Sequence, residues 1–219
     1  MARYPLCPLK LTDCRDHGPL ADNELFIVEG DSAAASVCRV RNPQTQAVLP
    51  MQGKPLNALK ASPARVAANP WFKALIAALG GRPDGTLTPA ALRYRRIVLL
   101  FDPDADGIHS GALMLMYFHR FLPQALEQGR VLMSRPPLFR VTAPGLAGPR
   151  YAGSPAHHAR LVAQLRERDI GPLQTLRYRG LGSLEESLLI DACVAPATRC
   201  ADPMSAGDAA MAIQVFGGS

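Results

Sequence analysis

The chain has 219 residues, 48% of them hydrophobic, and a mean hydropathy of +0.03, which allows a buried core of ordinary size and excludes a disordered or fibrous chain. Its 24 basic against 18 acidic residues give a net charge of +6, which suits an acidic partner such as nucleic acid without identifying one. No signal-peptide pattern and no apolar run of about 18 residues occur, so no membrane partner is expected and the protein reads as cytoplasmic.

Residues 1–22 are rich in Pro, Asp and Gly without periodicity and read as an irregular N-terminal arm. Leu25-Phe26-Ile27-Val28 then forms an apolar run ending in Glu29-Gly30-Asp31-Ser32, and the small residues from Ala33 to Val40 continue as a helix. A second short strand is expected over residues 47–50. Asn69, Pro70 and the pair Gly80-Gly81 bracket a helix with the usual capping chemistry. The unbroken run Arg96–Phe101 fits a strand buried on both faces of a parallel sheet, followed by a long helix over 110–128 and a strand over 131–134. A hairpin around PGLAGP and a helix over 157–168 follow, and the remainder reads as less regular. The five cysteines show no CxxC spacing and are expected to be free thiols.

The β-α-β alternation predicts an α/β fold with a parallel sheet, whose ligands bind beyond the carboxyl ends of the strands. Asp102, Asp104 and Asp106 stand at alternate positions where one apolar strand ends, and Glu29 stands where another ends. Carboxylates crowded in this way raise one another's pKa unless a hard cation neutralises them, and oxygen-only donors favour Mg²⁺ or Ca²⁺ over zinc. An EF-hand shares the D-x-D-x-D-G start, but Leu113 stands at the place of its bidentate Glu and the preceding segment reads as a strand. A purely structural use of the aspartates as helix caps stays open. His109 reads as a helix-terminal residue rather than a ligand. Gly180 and Gly182 do not make a dinucleotide fingerprint, because Glu185 occupies the place of the third glycine.

LFIVEGDSA, QAVLPMQGKPLNALKA, RIVLLFDPDADGIH, RPPLFRV and RYRGLG occur in that order, after a KLTDC lead-in, across residues 10–192. In this the chain resembles the B subunits of bacterial gyrase and topoisomerase IV, the type IIA DNA topoisomerases. The resemblance implies a TOPRIM, Rossmann-like parallel sheet flanked by helices over 23–142, with a small α+β C-terminal extension over 143–219 that carries RYRGLG. It implies Glu29, Asp102 and Asp104 as Mg²⁺ ligands in a one- or two-metal site, Asp106 as a nearby or water-mediated partner, and Glu29 as general acid or base in religation. Lys54, Arg179, Gly180 and Gly182 match positions near the cleaved DNA. The partners implied are double-stranded DNA, an A-type subunit that supplies the attacking tyrosine, and a separate ATPase chain.

No GxxxxGKS loop occurs, and too few residues precede the first strand for a nucleotide domain, so no ATP site is expected here. A non-catalytic DNA- or topoisomerase-binding paralogue and a stand-alone TOPRIM nuclease are the alternatives. The sequence departs from the family at Ala34 and Ala35, where glycines are usual, and at Phe101, Pro103 and Ser183.

Overall fold

In a computed structural model that describes residues 10–18, 21–82 and 86–218, the strands in chain order are β1 (Glu24–Glu29), β2 (Gln46–Met51), β3 (Arg96–Leu100), β4 (Val131–Ser134), β5 (Phe139–Thr142), β6 (Arg150–Ala152), β7 (Gln174–Arg177) and β8 (Ala201–Pro203). The helices are α1 (Gly30–Val40), α2 (Pro63–Ala68), α3 (Pro70–Leu79), α4 (Ala105–Phe121), α5 (Pro123–Glu127), α6 (Pro155–Glu167), α7 (Glu186–Leu189) and α8 (Ala206–Phe216). A five-stranded sheet has the order β2-β1-β3-β4-β8, parallel except for β8, and β6-β5-β7 form a small antiparallel sheet. This is the expected α/β architecture of a mostly parallel sheet flanked by helices.

The apolar runs of β1 and β3 bury both faces because alternate side chains enter different cores. Leu25, Ile27, Ile97 and Leu99 point to the side of α3, α4 and α8, joining Phe72, Tyr117, Phe118 and Ala209. Phe26, Val28, Val98 and Leu100 point the other way, against Val37 of α1 and against Tyr178, Leu181, Leu184 and Leu189. Each fully buried side chain of this size contributes about 1.5–3 kcal/mol. The segment after β7 therefore covers one face of the larger sheet, beside α1.

From β1 the chain passes by α1 to β2 on one side, while β3 pairs with β1 on the other. The strand order reverses at β1/β3. Crevices at such switch points, beyond the carboxyl ends of the strands, receive ligands in open α/β sheets.

Several elements differ from the expectations. The helix expected over 110–128 begins earlier, at Ala105, because Asp104 caps it: its side chain accepts from Gly107 N–H at 2.9 Å. It also breaks at Leu122, before Pro123, into α4 and α5, since proline disfavours a helical residue ahead of it. In the arm, Leu11 and Cys14 are buried and Thr12 bridges Val48, so residues 11–14 pack on the sheet; residues 1–9, with Cys7, lie outside the described residues. The boundary expected at 142/143 separates parts that interleave: β5 belongs to the small sheet, whereas β8 and α8 return to the larger one. Cys14, Cys38, Cys193 and Cys200 are free thiols. Among the described residues no helix is long and apolar enough to cross a membrane.

Candidate metal centre

Glu29 is the last residue of β1, and the register Val28↔Leu100 sets it beside the end of β3, where Phe101 leads into Asp102. Gly30, at φ +79°, turns the chain from strand to helix in a conformation that favours glycine. Glu29 precedes α1 at the N-cap position but makes no side-chain capping bond, so its carboxylate is not committed to the helix. On β3 the chain turns sharply: a Cβ on Gly107 would lie 2.0 Å from Asp102 O. Only a bare Cα permits that approach, which explains the glycine after the three aspartates.

The four acids are differently engaged. The Asp102 carboxylate is half-buried and accepts one hydrogen bond at Oδ1, from Leu181 N–H at 2.9 Å. Asp104 uses Oδ1 as the α4 cap, the structural use expected of an aspartate there. Asp106, exposed in the first turn of α4, pairs with Lys54 Nζ at 2.6 Å. Burial raises the Glu29 carboxyl above the usual range, and Asp102, Asp104 and Asp106 raise it further against the opposing Lys54 charge. Burial also raises Asp102, opposed by the Leu181 N–H and reinforced by Asp104. Lys54 draws Asp106 down instead.

Such strain among like charges is relieved by a cation, and the donors are all oxygen, which fits Mg²⁺. Among the described residues the tighter group of possible ligands is Asp13, Cys14 and His17, whose donor atoms lie within 4.8 Å of one another. Its chemistry is wrong for a metal. Asp13 is held by Arg93 at 2.5 Å and Tyr94 OH at 2.6 Å, and burial, with Asp13 beside it, pushes the Cys14 thiol up to about 11.

The other expected residues gather around this centre to different degrees. An open cleft of about 470 Å³ is lined by Asp102, Pro103 and Asp104 from the end of β3 and by Leu138, Arg177, Tyr178, Arg179 and Gly180. Acidic and basic residues thus line the same cleft. Gly180 lies against Asp102 itself, while Gly182 lies against α1, where an added Cβ would meet Ser32 and Ser36 hydroxyls at 3.5 and 3.6 Å. Arg177, two residues before Arg179 at the end of β7, is not among the residues the sequence singles out; alternation along a strand is the signal for it. The Leu181 amide leaves no such signal, because backbone donors carry no residue type. His109 stacks on Phe216 of α8, in keeping with a helix residue rather than a ligand. Tyr94 and Tyr117 are buried in the core, away from any nucleophilic setting.

The departures from the family pattern are absorbed locally. Ala34 is buried in α1 and Ala35 is exposed on it; alanine favours that helix over glycine by about 1 kcal/mol per residue. Phe101 fills the core beside Gly111, and Ser183 Oγ ties the Arg179 amide to Gly180 O. The ring of Pro103 lines the cleft between the two aspartates.

The Toprim domain family matches residues 24–136. The chain is 36% identical over 215 residues to the B subunit of DNA gyrase from Haloferax volcanii, covering 95% of this chain and 32% of that protein. It is 33% identical over 211 residues to the gyrase B subunit of Archaeoglobus fulgidus, again 95% of this chain and 32% of that protein. The B subunit of DNA topoisomerase 4 from Caulobacter vibrioides is 36% identical over 196 residues, 88% of this chain and 27% of that protein. The chain therefore spans about a third of the length of the curated relatives it matches.

Proposed function

The chain belongs to the Toprim domain family, and from that premise we propose that it is the Mg²⁺-binding component of a type IIA DNA topoisomerase. In this reading it supports cleavage and religation of double-stranded DNA by an A-type subunit whose tyrosine attacks the phosphodiester. The observation that carries the proposal is the placement of Glu29, Asp102 and Asp104 at the β1/β3 switch point, where the two aspartates act on the Glu29 carboxyl and themselves line a cleft together with Arg177 and Arg179.

Glu29, Asp102 and Asp104 would hold the cation, with Asp106 reaching it through water. The bound Mg²⁺ supplies charge neutralisation at the scissile phosphate and leaving oxygen. The protein's own groups do the rest. Arg177, Arg179 and Lys54 bind backbone phosphates, fixing the DNA in register without reading sequence. Glu29, at the end of β1 beside the end of β3, would take the proton from the deoxyribose 3′ hydroxyl during religation and return one to that oxygen during cleavage. An exposed cluster of arginines on β7 and the following loop, together with the excess of basic residues, favours DNA as the anionic partner.

The test mixes the chain with a cognate A-type subunit, any ATPase chain it works with, Mg²⁺ and supercoiled DNA, and traps breaks with denaturant. Breaks are expected on the partner's tyrosine, and Glu29→Ala should reduce them by about 100-fold or more, the scale of a lost acid–base group. Breaks attached to this chain would favour a stand-alone nuclease. DNA binding without breaks, equal in wild type and Glu29→Ala, would favour a non-catalytic paralogue.

A further inference from the structure

We propose that Gly180 and the Leu181 peptide N–H are positioning groups for the metal centre, holding the Asp102 carboxylate in the orientation a divalent cation requires. The inference rests on the reading of Glu29, Asp102 and Asp104 as cation ligands, and it gives the 177–182 segment a role on the protein side of the cleft as well as the DNA side.

Both oxygens of Asp102 meet this segment. Oδ1 accepts from Leu181 N–H at 2.9 Å, and Oδ2 sits so close to Gly180 that a Cβ there would lie 2.7 Å from it and 3.3 Å from Cγ. Gly180 is at φ +143°, a conformation that side-chain-bearing residues rarely adopt, so the close approach and the backbone shape both demand glycine. One hydrogen bond at Oδ1 fixes the carboxylate while leaving lone pairs on both oxygens for a cation. Restraints of this kind on a ligand are worth about 10–100-fold in metal affinity.

The segment can impose an orientation because it is anchored independently of Asp102. Tyr178, Leu181 and Leu184 are buried against Phe26, Val28 and Leu100 in the same apolar cluster. Ser183 Oγ donates to Gly180 O at 2.7 Å and accepts from Arg179 N–H at 2.9 Å, closing the turn. Tyr178 OH donates to Glu185 at 3.0 Å, and Glu185 pairs with Arg140 at 2.6 Å, which ties the turn to the small sheet as well. A ligand from the end of β3 is thus set by a turn 79 residues later in the chain.

Mn²⁺ serves as the probe, with affinity read by calorimetry, coordination by the electron paramagnetic resonance line shape, and fold by melting in chelator. Wild type should bind, Asp102→Asn should bind more weakly, and Gly180→Ala should lose about 10–100-fold in affinity with an altered line shape. Gly148→Ala, in open space and outside the cleft lining, serves as the glycine control and should match wild type. In the Asp102→Asn background, Gly180→Ala should cost little further affinity, because its effect acts through that carboxylate. Ser183→Ala, which loosens the turn without adding an atom, should weaken binding by a smaller factor and stands in if Gly180→Ala does not fold. Wild-type affinity in a folded Gly180→Ala, or in Ser183→Ala where that is the variant at hand, overturns the proposal. Equal losses with and without Asp102 do so as well. Failure of the wild type to bind Mn²⁺ overturns the metal reading beneath it.

Discussion

The two ends of the five-stranded sheet treat their acidic residues in opposite ways. At the amino ends of the strands every prominent acid has cationic partners from the chain. Glu24 sits between Arg199 and Arg96, Asp22 meets Arg96 and Arg95, and Asp13 meets Arg93. At the carboxyl ends of β1 and β3, four acids share little beyond Lys54, whose pair is the exposed Asp106, and the half-buried members Glu29 and Asp102 are raised by partial burial and by neighbouring carboxylates. Charge at the amino end is internally matched and serves the fold. At the carboxyl end the exposed Asp31 and Asp106 meet Lys10 and Lys54, whereas among the described residues no ion pair is seen for Glu29, Asp102 or Asp104, and such strained arrangements persist where a ligand completes them.

The sharpest way to break this comparison is at Glu24. Its carboxylate and the Arg199 guanidinium are 3% and 5% exposed, with Arg199 Nη1 2.6 Å from Glu24 Oε2, and the pair joins the first residue of β1 to the segment that leads into β8. Arg199→Met leaves a buried carboxylate without its main partner and should cost about 3–5 kcal/mol in urea unfolding. Adding Glu24→Gln should restore part of that, since a neutral amide is less costly to bury than an unpaired charge. A loss of under about 1 kcal/mol would show that this end is no better matched than an exposed surface.

The same contrast explains what the sequence discloses. β1 to β4 and the caps of α3 are legible because their signals are local: unbroken apolar runs, and Asn69, Pro70 and Gly80 at fixed offsets. Glu29 and Asp102 stand out for the same reason, as charges at the ends of apolar strands. β7 is exposed at every position, so QTLR carries no apolar alternation, and β8 is three residues paired with β4 from far along the chain. The helix α8 is absent from the sequence expectations, although Ser205 and Asp208 form a capping box ahead of its apolar run; the spacing is there to read. The contact of Leu181 with Asp102 and the pairing of Arg199 with Glu24, 175 residues apart, are tertiary and leave no mark in any short window.

A second test at the amino end uses pH. Asp13 is raised by burial, but hydrogen bonds from Tyr94 and Arg93, the Arg93 charge and the Cys14 N–H outweigh this and hold its carboxyl below the ordinary value. The folded state therefore releases this proton more readily than the unfolded one. The group's contribution is complete above the unfolded value of about 3.9 and is lost as pH falls through the lower folded value. Asp13→Asn should cost about 2 kcal/mol near neutral pH, the scale of a hydrogen bond to a charged group. The gap to wild type should close below pH about 4, followed by urea midpoints over that range. Parallel curves would remove Asp13 from the matched set.

The smallest effect on stability belongs to the carboxyl end. Lys54 Nζ lies 2.6 Å from Asp106 Oδ1, yet the two side chains are 46% and 70% exposed. Water and salt screen such a pair, so Lys54→Ala should leave the melting temperature unchanged. DNA binding should respond differently. If Lys54 turns from Asp106 to a backbone phosphate when DNA enters the cleft, its removal deletes one neutralised phosphate. The slope of log affinity against log salt should then become shallower by about 0.9, with the same change on unrelated duplex sequences. An unchanged slope with a lowered melting temperature would mean that Lys54 is a structural counterion for Asp106. The carboxyl end would then be matched in the same manner as the amino end, and the contrast between them would fail at its most exposed point.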